Sequence, residues 1–169
     1  MARSPLIVLM LLGFLLMSSS QTKVPSSLPP KDAPVVEAFS KQKAMCEGLM
    51  DWNMEVGGKD WIDVSIEWVA VDTATVIDNV KHINLETSVD GKKLTATMKY
   101  PSSPDPFSIN CGDTVINGSS IKYTLYLPPL SKGEHKIVWH GVVEDDLNDG
   151  WNEYPKGTEF TFTSTVTVQ

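Results

Sequence analysis

The stretch Trp61-Ile62-Asp63-Val64-Ser65-Ile66-Glu67-Trp68-Val69-Ala70-Val71 decides the fold class. Ile62, Val64, Ile66, Trp68 and Ala70 alternate with Trp61, Asp63, Ser65, Glu67 and Val69. A period of two residues gives one dry and one wet face, which predicts a half-buried strand. The same period returns downstream. Ile83, Leu85, Thr87 and Val89 fall on one side of the segment His82 to Val89, and Leu94, Ala96, Met98 and Tyr100 on one side of the next. Asp90-Gly91 joins these two runs, and a tight hairpin there needs two residues that tolerate positive φ. Pro101 to Pro106 reads as a loop, Phe107 to Cys111 as a short strand, and Asp113 to Ser120 as a turn region. Alternation then resumes in Ile121, Tyr123, Leu125 and Leu127, in Ile137, Trp139, Gly141 and Val143, and in Phe160, Phe162, Val166 and Val168.

Short strands with turn punctuation, and no βαβ spacing, predict an all-β chain: an antiparallel β-sandwich of six to eight strands. One short N-terminal helix precedes it in this reading. Asp32 would cap it ahead of Ala33-Pro34, Val36, Phe39, Cys46 and Met50 would share a face, and Gly48 would end it. Leu127-Pro128-Pro129-Leu130-Ser131-Lys132-Gly133-Glu134-His135 has the form of a corner between consecutive strands, and the terminal strand is rich in threonine. Together these resemble exported Ig-like or fibronectin-like β-sandwich modules of bacteria and archaea over Trp61 to Gln169. The resemblance implies a fold and no activity.

Ahead of the domain, Arg3 and an apolar run from Leu6 to Met17 precede Ser18-Ser19-Ser20. A run of roughly a dozen residues suits a signal peptide better than a bilayer span of about 20. A short membrane anchor is the competing reading. The expected organisation is a signal peptide at 1–20, a flexible Pro/Ser-rich stalk at 21–43, and a β-sandwich domain at 44–169. The mature chain is then secreted or extracytoplasmic and carries no transmembrane segment. The net charge of −7 repels phosphate backbones, and no Lys/Arg cluster offsets it, which argues against nucleic acid and anionic membranes.

Cys46 and Cys111 are the two cysteines. In an oxidising compartment an even pair most simply forms one disulfide, worth about 4 kcal/mol on the chain-entropy scale for a loop of this length. Two free thiols or an intermolecular bridge are the alternatives. The densest polar cluster runs from Glu144 to Tyr154, where Asp145, Asp146, Asn148 and Asp149 offer the oxygens that Ca²⁺ prefers. The competing reading is a solvated hairpin loop, and otherwise no cofactor is expected. Trp151 and Tyr154 beside these acids could hold a sugar ring or a peptide, or else plug the end of the sandwich. Trp68 and Trp139 lie on the apolar phase of their strands and read as core. Asn117-Gly118-Ser119 matches the N-glycosylation pattern in an expected loop. His135 and His140 differ by five residues, which separates them across a sheet, and no nucleophile elbow, HExxH or phosphate loop is present. These features predict no enzyme. They predict an exported module with a structural role or one in binding an extracellular protein or polymer. A Ca²⁺ or glycan module built on 144–154 is the alternative.

Overall fold

The computed structural model describes residues 28–94 and 103–169. In chain order the elements are β1 (Val35–Glu37), α1 (Lys41–Glu47), β2 (Asp51–Val56), β3 (Trp61–Asp63), β4 (Ile66–Ala70), α2 (Thr73–Asn79), β5 (Ile83–Val89), β6 (Lys92–Lys93), β7 (Asp105–Cys111), β8 (Thr114–Tyr123), β9 (Tyr126–Leu127), β10 (Gly133–Val143), β11 (Leu147–Asn148), β12 (Glu153–Tyr154) and β13 (Glu159–Val168). The largest sheet has the order β2-β13-β10-β5-β6. Smaller sheets have the orders β4-β8-β7 and β1-β3-β9, and β11 pairs with β12. The chain is therefore mostly β, in open mixed sheets.

The expectation of a purely antiparallel sandwich is corrected at two edges. β2 runs parallel to β13, with Trp52 beside Ser164, and β1 runs parallel to β3, with Val36 beside Ile62. β1 and the start of α1 also fall inside the span read as a stalk, where Ala38 is buried and donates its N–H to the Asp63 carbonyl. The expected cap at Asp32 is replaced by Ser40, whose Oγ accepts the Lys43 N–H, while Gly48 ends the helix with φ 65° as expected.

The alternating faces lie as the sequence implies. Ile137, Trp139 and Val143 of β10 are buried, as are Val166 and Val168 of β13. All but Val143, which clusters separately with Ile83 and Leu147, share one apolar cluster with Ile62, Val64, Ala70, Ile121, Tyr123 and Leu127, so the large sheet and the smaller sheets cover the same core. Asp90 and Gly91 take φ 51° and 74° between β5 and β6. The strand expected at Leu94 to Tyr100 lies outside the described residues beyond Leu94.

Two expected strands are divided. Trp61–Val71 breaks at Val64-Ser65 into β3 and β4, and Ile121–Leu127 breaks at Thr124-Leu125 into β8 and β9. The breaks face each other. Val64 donates to the Leu125 carbonyl at 2.9 Å, and Leu125 donates to Ser65 Oγ at 3.0 Å. The turn expected at Asn117-Gly118-Ser119 is instead the middle of β8; the actual turn is Gly112-Asp113, with Gly112 at φ 72°. Helix α2 fills the interval between β4 and β5. Asp72 caps it by accepting the Thr75 N–H at 2.8 Å.

Cys46 and Cys111 are bonded, with their Cα atoms 5.2 Å apart, which ties α1 to the end of β7. Among the described residues no helix is long and apolar enough to cross a membrane.

The β5–β6 turn is fastened to β10 by a titratable pair. Asp90 Oδ2 lies 2.8 Å from His135 Nδ1, and Asp90 Oδ1 accepts the Lys136 N–H at 2.9 Å. The hydrogen bond to Asp90 raises the His135 pKa against its partial burial. Burial pushes the Asp90 pKa up, but the bonds from His135 and Lys136 outweigh it and leave the carboxyl below its usual value. The His135 contribution is complete below its unfolded pKa and is lost as pH rises through its higher folded value. The Asp90 contribution is present above its unfolded pKa and is lost as pH falls through its lower folded value. The pair therefore stabilises most between about pH 4 and about pH 6.5. His135→Gln should lower the melting temperature most near the middle of that window, and the deficit should shrink by pH 8. Thermal melts of both proteins across that range test this.

Candidate functional site

A groove of about 1250 Å³ opens beside β4. Its floor comes from the inward residues of the large sheet, and its walls from α1, β4, the start of β8 and the loop after β11. Phe39 meets Trp52 edge-on at 5.2 Å, Trp52 and Phe162 are 6.1 Å apart, and Phe162 meets Phe160 at 5.8 Å. Trp68 continues the ladder, 5.8 Å from Phe160 and 5.4 Å from Tyr154. These rings are half-buried, and among the described residues no strand lies beyond β4 to cover them. The indole N–H groups of Trp52 and Trp68 are closed off from solvent and have no acceptor among the described residues. A buried unpaired donor costs about 1–3 kcal/mol.

Hydrogen-bond parity fixes which way β4 faces. Gly112-Asp113 is a two-residue turn, so Cys111 and Thr114 close the β7–β8 hairpin as a bonded pair. Even-numbered residues of β8 then bond β7, and odd-numbered ones bond β4. Tyr123, Ile121 and Ser119 are accordingly the partners of Ile66, Trp68 and Ala70. Glu67 and Val69 direct their N–H and C=O away from β8. Val71, next in that phase, donates instead to the Asp149 carbonyl at 2.7 Å. Ile66, Glu67, Trp68 and Val69 all line the groove, as consecutive residues do when a strand presents its edge. Among the described residues no strand pairs with this edge.

The charged side chains of the wall are largely committed. Lys41 pairs with Glu67 at 2.5 Å and also lies 5.2 Å from the Phe107 ring centre. Lys122 pairs with the buried Asp63 at 3.2 Å. Burial lowers the Lys122 pKa, but the Asp63 carboxylate overcomes it and leaves the ammonium above its usual value.

The acidic loop forms one end of the groove. Asp149 is 3% exposed, and its Oδ1 accepts the N–H groups of Trp151 and Asn152, both at 2.7 Å. Its Oδ2 accepts the Tyr154 hydroxyl at 2.8 Å. Burial first, and this carboxylate second, push the Tyr154 hydroxyl up to about 12. The other three expected ligands turn to separate backbone donors. Asp145 accepts from Asp146 N–H, Asp146 from Lys156 N–H and Asn148 from Gly150 N–H. The four side chains are brought into one loop but not onto one point, and among the described residues no three His, Cys, Asp or Glu side chains form a metal-sized group.

The expected aromatic pair is split. Tyr154 joins the ladder, whereas Trp151, 42% exposed, stands 6.4 Å from Phe107. Trp139 is fully buried, as its phase implied, and Trp68 faces the groove. Asn117 is exposed on β8 opposite Ser108, while the Ser119 of its triplet is buried against Thr73, with 2.8 Å between the two hydroxyls. Sequence reading did not identify Trp52, Phe160 and Phe162 as a floor or β4 as a free edge. The run Trp52, Met54 and Val56, alternating with Asp51, Asn53 and Glu55, was the available signal for the strand that carries Trp52.

No protein-family model matches the chain, and no curated protein matches it. Among solved structures, the cysteine protease inhibitor EhICP2 from Entamoeba histolytica aligns over 80% of this chain and 95% of that chain, with 9% identity and a TM-score of 0.35. A likeness this slight carries neither fold nor function across.

Asp149 holds the loop through its bonds to Trp151, Asn152 and Tyr154. Asp149→Ala strips acceptors from two backbone donors and the Tyr154 hydroxyl, and should destabilise by about 2 kcal/mol or more. The loss should be the same with Ca²⁺ or with a chelator, as measured by urea unfolding in both.

Proposed function

We propose that this chain is an exported, non-enzymatic binding module that holds an extracellular protein or polymer in the groove beside β4. The single observation that carries this reading is an aromatic-lined groove next to a sheet edge that no other strand pairs with among the described residues. Concave, mostly apolar surfaces with a few convergent polar groups are where ligands bind. The groove lysines are held in ion pairs with Glu67 and Asp63, which suits recognition better than acid–base chemistry. In this reading the two layers form an Ig-like sandwich in which no strand among the described residues lies beyond β4. A leader ending at Ser20 and the Cys46–Cys111 bond fit an oxidising compartment.

Two measurements test the proposal. The exported product should begin at Gln21 on N-terminal sequencing; retention of Met1 or Ala2 contradicts export by cleavage. A soluble peptide or polysaccharide that occupies the groove should raise the melting temperature as RT ln(1 + [L]/Kd) and shift tryptophan emission. A panel of both classes that moves neither signal in folded protein ends the binding reading.

A further inference from the structure

We infer that the groove takes an extended, basic polypeptide segment that adds as a strand to the free edge of β4. This rests on the groove reading above and names its occupant. The backbone supplies the affinity: by the parity of the β4–β8 ladder the N–H and C=O groups of Glu67 and Val69 point into the groove, and among the described residues no strand meets them. An edge of this kind is the substrate for strand addition, in which main-chain bonds bind and alternate side chains specify.

The dimensions of the free edge fit a short segment. At its far end Val71 N–H is already taken by the Asp149 carbonyl, and at its near end Ser65 N–H is taken by Asp63 Oδ1 at 2.9 Å. Alternate side chains of an added strand would fall on the aromatic floor of Trp52, Phe160 and Phe162, covering rings that are now half-buried. A globular sugar surface would not use the two donors and two acceptors of the edge.

Charge selects the remaining side chains. The groove wall holds Glu37, Asp63, Glu67, Asp149 and Glu159 against Lys41 and Lys122. Both lysines are neutralised by carboxylates of the same wall and Asp149 is buried in its own loop bonds, so the excess that complements lysine or arginine on the incoming strand is Glu37 together with Glu159, which also lies 3.2 Å from His140. The occupant is thus a segment alternating apolar with basic residues.

The probe is a capped hexapeptide alternating lysine with valine or phenylalanine, titrated against the exported protein by tryptophan fluorescence. Val69→Pro removes one groove-facing N–H and leaves the bonds of Ile66, Trp68 and Ala70 to β8 in place, since proline is tolerated where a strand faces outward. It should weaken the peptide about tenfold, the scale of one main-chain hydrogen bond. Peptides N-methylated at residues of one parity should lose affinity and those of the other parity should not, which tests the same bonds even if Val69→Pro does not fold. Equal affinity for every N-methylated peptide overturns strand addition while leaving a groove that binds through side chains. Binding of a polysaccharide but not the peptide overturns it in the same way. No binding of either to the folded protein removes both the inference and the groove reading.

Discussion

The hydrogen bond from Trp139 Nε1 to the Val64 carbonyl, 2.6 Å long in a core with no exposure at either residue, is the constraint around which the sheets are arranged. A buried indole N–H is costly without an acceptor, and carbonyls inside a regular ladder are already committed to neighbouring strands. The acceptor therefore comes from a break. At Val64-Ser65 the chain leaves β3 for β4, and at Thr124-Leu125 it leaves β8 for β9. The groups released there are recaptured locally, by Asp63 Oδ1, Ser65 Oγ and the Leu125 carbonyl. The open edge follows from the same joint. β1 pairs with β3 only as far as Glu37 beside Asp63, so among the described residues β4 is left with β8 alone.

That joint also explains what the sequence could convey. Alternation reported side-chain direction correctly along β5, β10 and β13, because each keeps one face on the core for its full length. Across Trp61–Val71 the alternation is unbroken, yet Ile62, Asp63, Val64 and Ser65 are all buried. Asp63 and Ser65 are polar there because they cap the break, not because they meet water, and a period-two pattern cannot distinguish those causes. Partner choice was equally hidden. β2 has a clear alternation of its own, but nothing local says that it will lie parallel to a strand more than a hundred residues later.

Glycine misled and informed in turn. Asn117-Gly118 has the composition of a hairpin turn, but Gly118 is required for space: a Cβ there would collide with the Ala70 carbonyl and sit 3.0 Å from the rings of Phe107 and Trp151. Gly141 works the same way inside β10, where the Phe160 ring of the paired strand occupies the place a side chain would take. The tilt of that ring helps form the groove floor, so part of the site is specified by a missing side chain. The acidic loop was legible as a dense cluster of oxygens. Their direction was not, since the placing of Trp151, Asn152 and Tyr154 around Asp149 depends on loop conformation rather than composition.

The two edges on this side of the molecule are protected differently, and the difference bears on what can bind. β2 turns Asp51, Asn53 and Glu55 outward, a polar fringe that discourages pairing with another sheet. β4 has no such fringe. Its protection is recession between α1, held against β7 by Cys46–Cys111, and the loop that Asp149 folds over its end. A broad sheet edge cannot enter that recess, but a single extended chain can. Because Ser65 and Val71 have spent their own N–H groups, the exposed register stops after Glu67 and Val69. An edge so short rewards one matched segment and gives little purchase to the repetitive pairing that leads to aggregation. Recession and a truncated register together let β4 stay unpaired without becoming a template for association.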